Sequence, residues 1–149
     1  MSVVSASLEL TPQLALFEND ANAQGKSDTN IDGVGEAYCL ANDAQTRRAE
    51  GITLTPAWLV ERMLDEVASD GFDAIVDCGA GTGRFAIAAA RRFPAARVFA
   101  VEQNPELARL LRQRLREYGL LGRVTVIEGD FRSVTLPTSG RTLFLGNPP

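Results

Sequence analysis

The sequence predicts an α/β protein, a parallel β-sheet with helices on its faces. Three observations carry that reading. Helical and strand-like segments alternate from residue 55 onward. The strand-like runs are short and largely apolar, as in strands buried inside a layered fold. The first of them runs directly into a glycine-rich turn, "VDCGAGTGR", from which the next helix starts.

The elements follow in order. Residues 1–35 are rich in Ser, Ala, Asn, Asp and Gly, and "ENDANAQGKSDTNIDGVG" has no helical or strand period. A flexible N-terminal segment is expected there, with the folded domain over 36–149. "EAYCLANDAQTRRAEG" predicts a short helix ending at Gly51. "TPAWLVERMLDEVASDG" predicts a helix capped by Thr55, with Pro56 at the first helical position and a stop at Asp70-Gly71. Its apolar residues Leu59, Val60, Met63, Leu64 and Val67 share one face. "DAIVDCG" predicts a buried strand, and "TGRFAIAAARRF" a helix that stops near Pro94. "ARVFAVE" is a second strand. "NPELARLLRQRLREYG" has Asn104 at the cap, Pro105 next and Gly119 as the stop. "RVTVIEGD" and "TLFLG" complete a set of four strands.

Composition bounds the chemistry. The chain has 149 residues, enough for one domain with a real core. Its net charge of −4, with 14 Arg and one Lys, argues against a surface that holds nucleic acid by charge alone. There is no histidine, so neither a Cys/His zinc site nor a Ser-His or Cys-His nucleophile pair is expected, and no metal is predicted. Two cysteines, Cys39 and Cys78, leave a single disulfide open without requiring it. "MSVVSASLEL" lacks the basic start and long apolar run of a secretion signal, and no stretch approaches a membrane span. A cytoplasmic location is expected.

Ligands on parallel sheets sit at the carboxyl ends of the strands. The first strand ends in Gly79, Ala80, Gly81, Thr82 and Gly83, spaced G-x-G-x-G rather than as the G-x-G-x-x-G of dinucleotide binding. Asp77 precedes the first glycine by two positions, where a carboxylate would repel a pyrophosphate and suit a cationic ligand. The second strand ends at Glu102-Gln103, where an acid can accept both hydroxyls of a ribose. The third ends at Asp130-Phe131, where an acid can accept from the exocyclic amine of adenine and a ring can pack on the base. Taken singly, these are also a plain tight turn, a solvated acid before a helix cap and a turn acid. Together they describe a pocket for a ribose, an adenine and a positively charged tail.

Over residues 50–149 this pattern resembles the S-adenosylmethionine (SAM)-dependent methyltransferases of Rossmann-like fold. The resemblance implies SAM as cofactor and that fold. It implies that Asp77, Gly79, Ala80, Gly81, Gly83, Glu102, Gln103, Asp130 and Phe131 bind the cofactor. "GITLTP" is similar to the G-x-x-x-T-P segment of amino-group DNA methyltransferases, with Gly51, Thr55 and Pro56 matching and Leu54 where an aromatic is usual. It implies that Thr55 and Pro56 meet the methionine end. The closing Asn147, Pro148 and Pro149 resemble the NPP(Y/F) catalytic motif of adenine-N6 methyltransferases, whose aromatic would follow Pro149.

The chemistry gives a reason for such a turn. An adenine amine is a poor nucleophile because its lone pair is spread into the ring. The Asn147 side-chain oxygen and the Pro148 carbonyl can accept its two hydrogens, and proline offers no competing N–H. Positioning of this kind needs no strong base. The resemblance implies a restriction-modification type of enzyme acting on DNA through regions this chain lacks. The chain is expected to be the N-terminal, cofactor-binding half of that enzyme, apparently truncated after the fourth strand and weakly active or inactive alone. A partner chain is expected to complete its sheet. Methylation of a protein glutamine or a ribosomal RNA base, and a non-catalytic nucleotide-binding module, are the alternatives.

Overall fold

The computed structural model describes residues 33–43, 45, 47, 52, 54–67 and 71–147. Among these the order is α1 (Gly33–Ala41), α2 (Ala57–Asp65), β1 (Ala74–Cys78), α3 (Arg84–Arg92), β2 (Arg97–Glu102), α4 (Pro105–Glu117), β3 (Val124–Glu128) and β4 (Thr142–Leu145). All strand pairings are parallel, in the order β3-β2-β1-β4. The chain winds outward from β1 through β2 to β3, then returns past β1 to place β4 on its other side. The strand order therefore reverses between β1 and β4, which opens a crevice at their carboxyl ends.

One face of the sheet carries the larger core. Val60 and Leu64 of α2, the alanines and Ile87 of α3, and Leu111 and Leu115 of α4 pack there on Ile75, Val98, Ala100 and Val124. The Ala-rich α3 is buried along its first seven residues, because small side chains let it lie close to the strands. The opposite face packs Ala74, Val76, Phe99 and Val101 against Ile127, Val134 and Leu136. No helix among the described residues is long and apolar enough to cross a membrane.

The cap signals around α4 act as the sequence implies. Asn104 Oδ1 accepts from the N–H groups of Glu106 and Leu107 at 2.9 and 3.3 Å. At the other end Leu120 N–H donates to Leu115 O and Gly119 N–H to Arg116 O, a Schellman ending. Arg123 binds the last carbonyls of α3, donating to Ala90 and Phe93 at 3.1 Å each. That is a cation at the negative end of a helix dipole.

Three expectations change. The first helix among the described residues starts at Gly33, inside the segment expected to be irregular, because burial of Gly35 and Tyr38 outweighs the poor helix propensity of glycine. It ends at Ala41; Gln45 and Arg47 are helical again, and the other residues from 44 to 51 lie outside the described residues. Asn42 Nδ2 donates to Tyr38 O and Asp43 Oδ1 accepts from Gln45 N–H, so local side chains compete with the backbone ladder. Helix α2 is entered one residue late. Pro56, not Thr55, is the capping position, with extended ψ 142 and no side-chain cap, and Glu66 closes the helix before Asp70-Gly71. The rest of residues 1–35, together with Gly51, Pro148 and Pro149, lies outside the described residues.

Candidate functional site

The crevice at the strand ends is a cavity of about 300 Å³, the lower end of the size range of small-molecule sites. The glycine turn forms its floor. Gly79 and Ala80 donate their N–H groups to Val101 O at 3.0 and 2.8 Å, which ties the turn to the neighbouring strand. Gly83, at φ 90, turns the chain into α3, and a Cβ there would overlap Leu111 of α4. A glycine is thus required twice over at this position, for conformation and for space.

Glu102 ends β2 and is 6% exposed. Gly81 N–H donates to Oε2 at 2.6 Å and Asn104 N–H to Oε1 at 2.8 Å. Each carboxylate oxygen is therefore anchored by one backbone donor and keeps acceptor capacity toward the cavity.

Asp77 lies beneath the turn rather than in the cavity wall, 1% exposed. Its Oδ2 accepts from Ala86 N–H in the first turn of α3 at 2.9 Å. Its Oδ1 has no partner among the described residues and faces Gly146, where β4 ends. Burial pushes the carboxyl up to about 7, the nearby Glu102 adds to the rise, and the Ala86 N–H opposes it. A Cβ on Gly146 would meet the Cys78 carbonyl at 2.7 Å. Only glycine lets β4 run this close to β1 and deliver Asn147 to the cavity.

Asp130 follows β3 on the surface. Arg132 donates from its backbone N–H to Oδ1 at 2.9 Å and from its guanidinium to both oxygens, the shortest contact 2.5 Å. These bonds hold the carboxyl down at about 2. Phe131 beside it meets Phe144 edge to face, the centroids 6.3 Å apart.

Of the residues expected at the site, Thr55, Gly79, Ala80, Gly81, Glu102, Gln103, Asp130, Phe131 and Asn147 line this one cavity. Pro56, Asp77 and Gly83 support it from outside the wall. Sequence reasoning missed Thr82, Arg84 and Arg132, which also line it. Thr82 Oγ1 is buried with no partner among the described residues. Arg84 carried a readable signal, a cation at the first position of a helix, where the dipole disfavours positive charge. Cys39 and Cys78 are free thiols, and burial pushes Cys78 up to about 11. Among the described residues no three His, Cys, Asp or Glu side chains gather to hold a metal.

The parallel sheet, its strand order and the glycine turn make a Rossmann-like fold of the kind seen in SAM-dependent methyltransferase structures. Residues 75–144 match the family model described as a methyltransferase domain. Over 101 residues the chain is 46% identical to the type II methyltransferase M.XamI of Xanthomonas campestris pv. amaranthicola, covering 66% of this chain and 19% of that protein. It is 34% identical to the release factor glutamine methyltransferase of Moorella thermoacetica, over 64% of this chain and 37% of that protein. The chain thus spans well under half the length of both relatives. The crystal structure of an RNA methyltransferase from Salinibacter ruber with S-adenosyl-L-homocysteine superposes with a TM-score of 0.51 at 34% identity, over 55% of this chain and 53% of that one.

Proposed function

We propose that this chain binds SAM in the strand-end cavity and serves methyl transfer to the N6 amine of adenine in DNA. The observation that carries the reading is the convergence of the glycine turn, Glu102 and Asn147 on one cavity. The residues present fit the cofactor. Glu102 is a fixed double acceptor of the kind a ribose diol needs. Phe131 offers an apolar ring and Asp130 a carboxylate for the adenine. The buried Thr82 hydroxyl has hydrogen-bonding capacity left to spend on a ligand. When bound, SAM supplies a methyl group on a positively charged sulfur, open to in-line displacement.

The protein's own part is positional. Asn147 lines the cavity, and in this reading its side-chain oxygen accepts one hydrogen of the target amine. In this reading the Pro148 carbonyl accepts the other, and Pro149 keeps the turn free of a competing N–H. Both hydrogens on acceptors favour the pyramidal amine that attacks. An adenine in duplex DNA reaches such a site only after it is flipped out. The similarity to a type II methyltransferase supports DNA as the partner. The outer side of β4 is where a partner chain would add to the sheet, and the setting is cytoplasmic.

The similarity to a release factor glutamine methyltransferase favours one second reading, an amide nitrogen as acceptor, since that lone pair is delocalised in the same way. Calorimetry with S-adenosylhomocysteine, followed by labelled methyl transfer to duplex DNA, a release-factor peptide and ribosomal RNA, separates these. Saturable binding is expected, with transfer by this chain alone weak or absent and any that occurs going to DNA adenine. Transfer to the peptide or RNA alone would move the substrate. A thermal shift with another adenine nucleotide, and none with SAM or its product, would leave a nucleotide-binding module without this chemistry.

A further inference from the structure

Arg84 is a cation in a place where elementary electrostatics opposes one. It is the first residue of α3, at the positive end of the helix dipole, and it is 9% exposed. Its guanidinium reaches back 29 positions in sequence to donate to the Thr55 carbonyl. Thr55 is itself buried, and both residues line the cavity. A second guanidinium provides a comparison. Arg114 of α4 is 2% exposed and donates to the Thr82 carbonyl at 2.5 Å, yet it does not line the cavity. Arg114 thus braces the glycine turn from behind, while Arg84 stands in the wall. Burial and the nearby Arg114 lower Arg84 only to about 10, so it stays charged at neutral pH.

An enclosed positive charge in a ligand cavity, set beside the Thr55 segment and the end of the glycine turn, matches one group of the cofactor. We propose that Arg84 is the residue that selects the α-carboxylate at the amino-acid end of SAM, holding the Thr55 segment in place with the same guanidinium. This rests on the SAM reading above and adds a residue and a specificity to it. The planar, multiply donating guanidinium can grip a carbonyl and face a carboxylate at once, which a lysine ammonium does less well.

The test compares ligands that differ at that end. S-adenosylhomocysteine carries the carboxylate, its decarboxylated analogue lacks only that group, and methylthioadenosine lacks the whole amino-acid part. On the unaltered protein, removing the carboxylate should weaken binding by about 30-fold, as for a charge-assisted hydrogen bond. Arg84→Met should weaken S-adenosylhomocysteine by a similar factor, leave methylthioadenosine within about twofold, and so abolish the discrimination; Arg84→Lys should restore part of it. Arg114→Met should affect the ligands equally, as a bracing residue would. If the unaltered protein binds S-adenosylhomocysteine and its decarboxylated analogue alike, the proposal fails without recourse to any variant. Equal losses for S-adenosylhomocysteine and methylthioadenosine in Arg84→Met or Arg84→Lys would also overturn it, leaving a bracing role. No binding of any of the three to the unaltered protein would instead fell the SAM reading beneath it.

Discussion

Glu102 and Asp130 are carboxylates at the ends of neighbouring strands, and the structure holds them in opposite ways. Glu102 is buried, and both oxygens are fixed by backbone N–H groups from the turn below and the helix entry above. Those donors cannot swing away, so the acceptor geometry exists before any ligand arrives. Asp130 has a half-exposed side chain and is held by Arg132, whose own side chain is 86% exposed. That partner is a surface cation, and an exposed pair of this kind is worth little. One acid is preorganised; the other must exchange a partner to accept from a ligand. On the reading proposed above, ribose recognition would be built into the fold, and adenine recognition would be an exchange at its surface.

The largest effect should come from breaking the rigid side. Glu102→Gln puts an NH₂ where a carboxylate oxygen stood, so the N–H of either Gly81 or Asn104 faces a donor. An unsatisfied buried donor costs about 1 to 3 kcal/mol, readable in denaturant melts. With the proposed ribose acceptor also lost, affinity for S-adenosylhomocysteine should fall about 100-fold by calorimetry. Binding within about threefold of the original, on the scale of that same hydrogen bond, would remove Glu102 from the ribose site.

Asp77 extends the comparison to a carboxylate buried still deeper. Its folded-state value, about 7, lies above the 3.8 of the unfolded chain. The folded protein therefore keeps a proton that the unfolded chain loses first. Asp77's contribution to stability is complete below about pH 4 and is lost as pH rises toward 7. Asp77→Asn keeps an acceptor for the Ala86 N–H and removes the titration. The difference between the two stability curves should change by an amount on the order of a few kcal/mol between those limits. Parallel curves would show that Asp77 does not titrate in this window.

The same contrast explains what was legible in the sequence. Four strands, their alternation with helices and the ends of α4 were readable because their causes are local: an apolar run, Asn104 before Pro105, Gly119 after the last turn. The strand-end acids were readable because the fold rule places them without coordinates. The partners were not. That Gly81 clamps Glu102, or that Arg84 reaches Thr55, depends on contacts between segments 21 to 29 positions apart. Thr55 shows the limit plainly. It read as a helix cap, but its neighbour Pro56 takes that position and Thr55 joins the cavity wall. Arg132 lies only two residues from Asp130, yet in sequence such a pair is indistinguishable from two solvated charges.

On the exchangeable side the effects should be smaller. Asp130→Ala removes the proposed acceptor for the adenine amine. It should weaken S-adenosylhomocysteine about tenfold and leave the inosine analogue, which lacks that amine, nearly unchanged. Stability should stay within about 0.5 kcal/mol, since the carboxylate is a surface group. An equal loss for both ligands would mean that Asp130 does not read the amine.

Arg132→Met is the finest test, because it asks whether the surface pair competes with the ligand. Arg132 holds Asp130 down at about 2. A depressed carboxyl contributes stability above its unfolded value of 3.8 and loses it as pH falls through about 2, so the pH dependence this pair adds is confined to acid. In Arg132→Met the Asp130 carboxyl should titrate back near 3.8, followed by carboxyl NMR shifts. Its oxygens are then available without displacing a guanidinium, and affinity for S-adenosylhomocysteine should rise about two- to fivefold, the scale of an exposed ion pair. The inosine analogue should gain nothing. If affinity instead falls, Arg132 is a ligand contact in its own right rather than a competitor, and the surface side of the site serves the cofactor as directly as is proposed for Glu102.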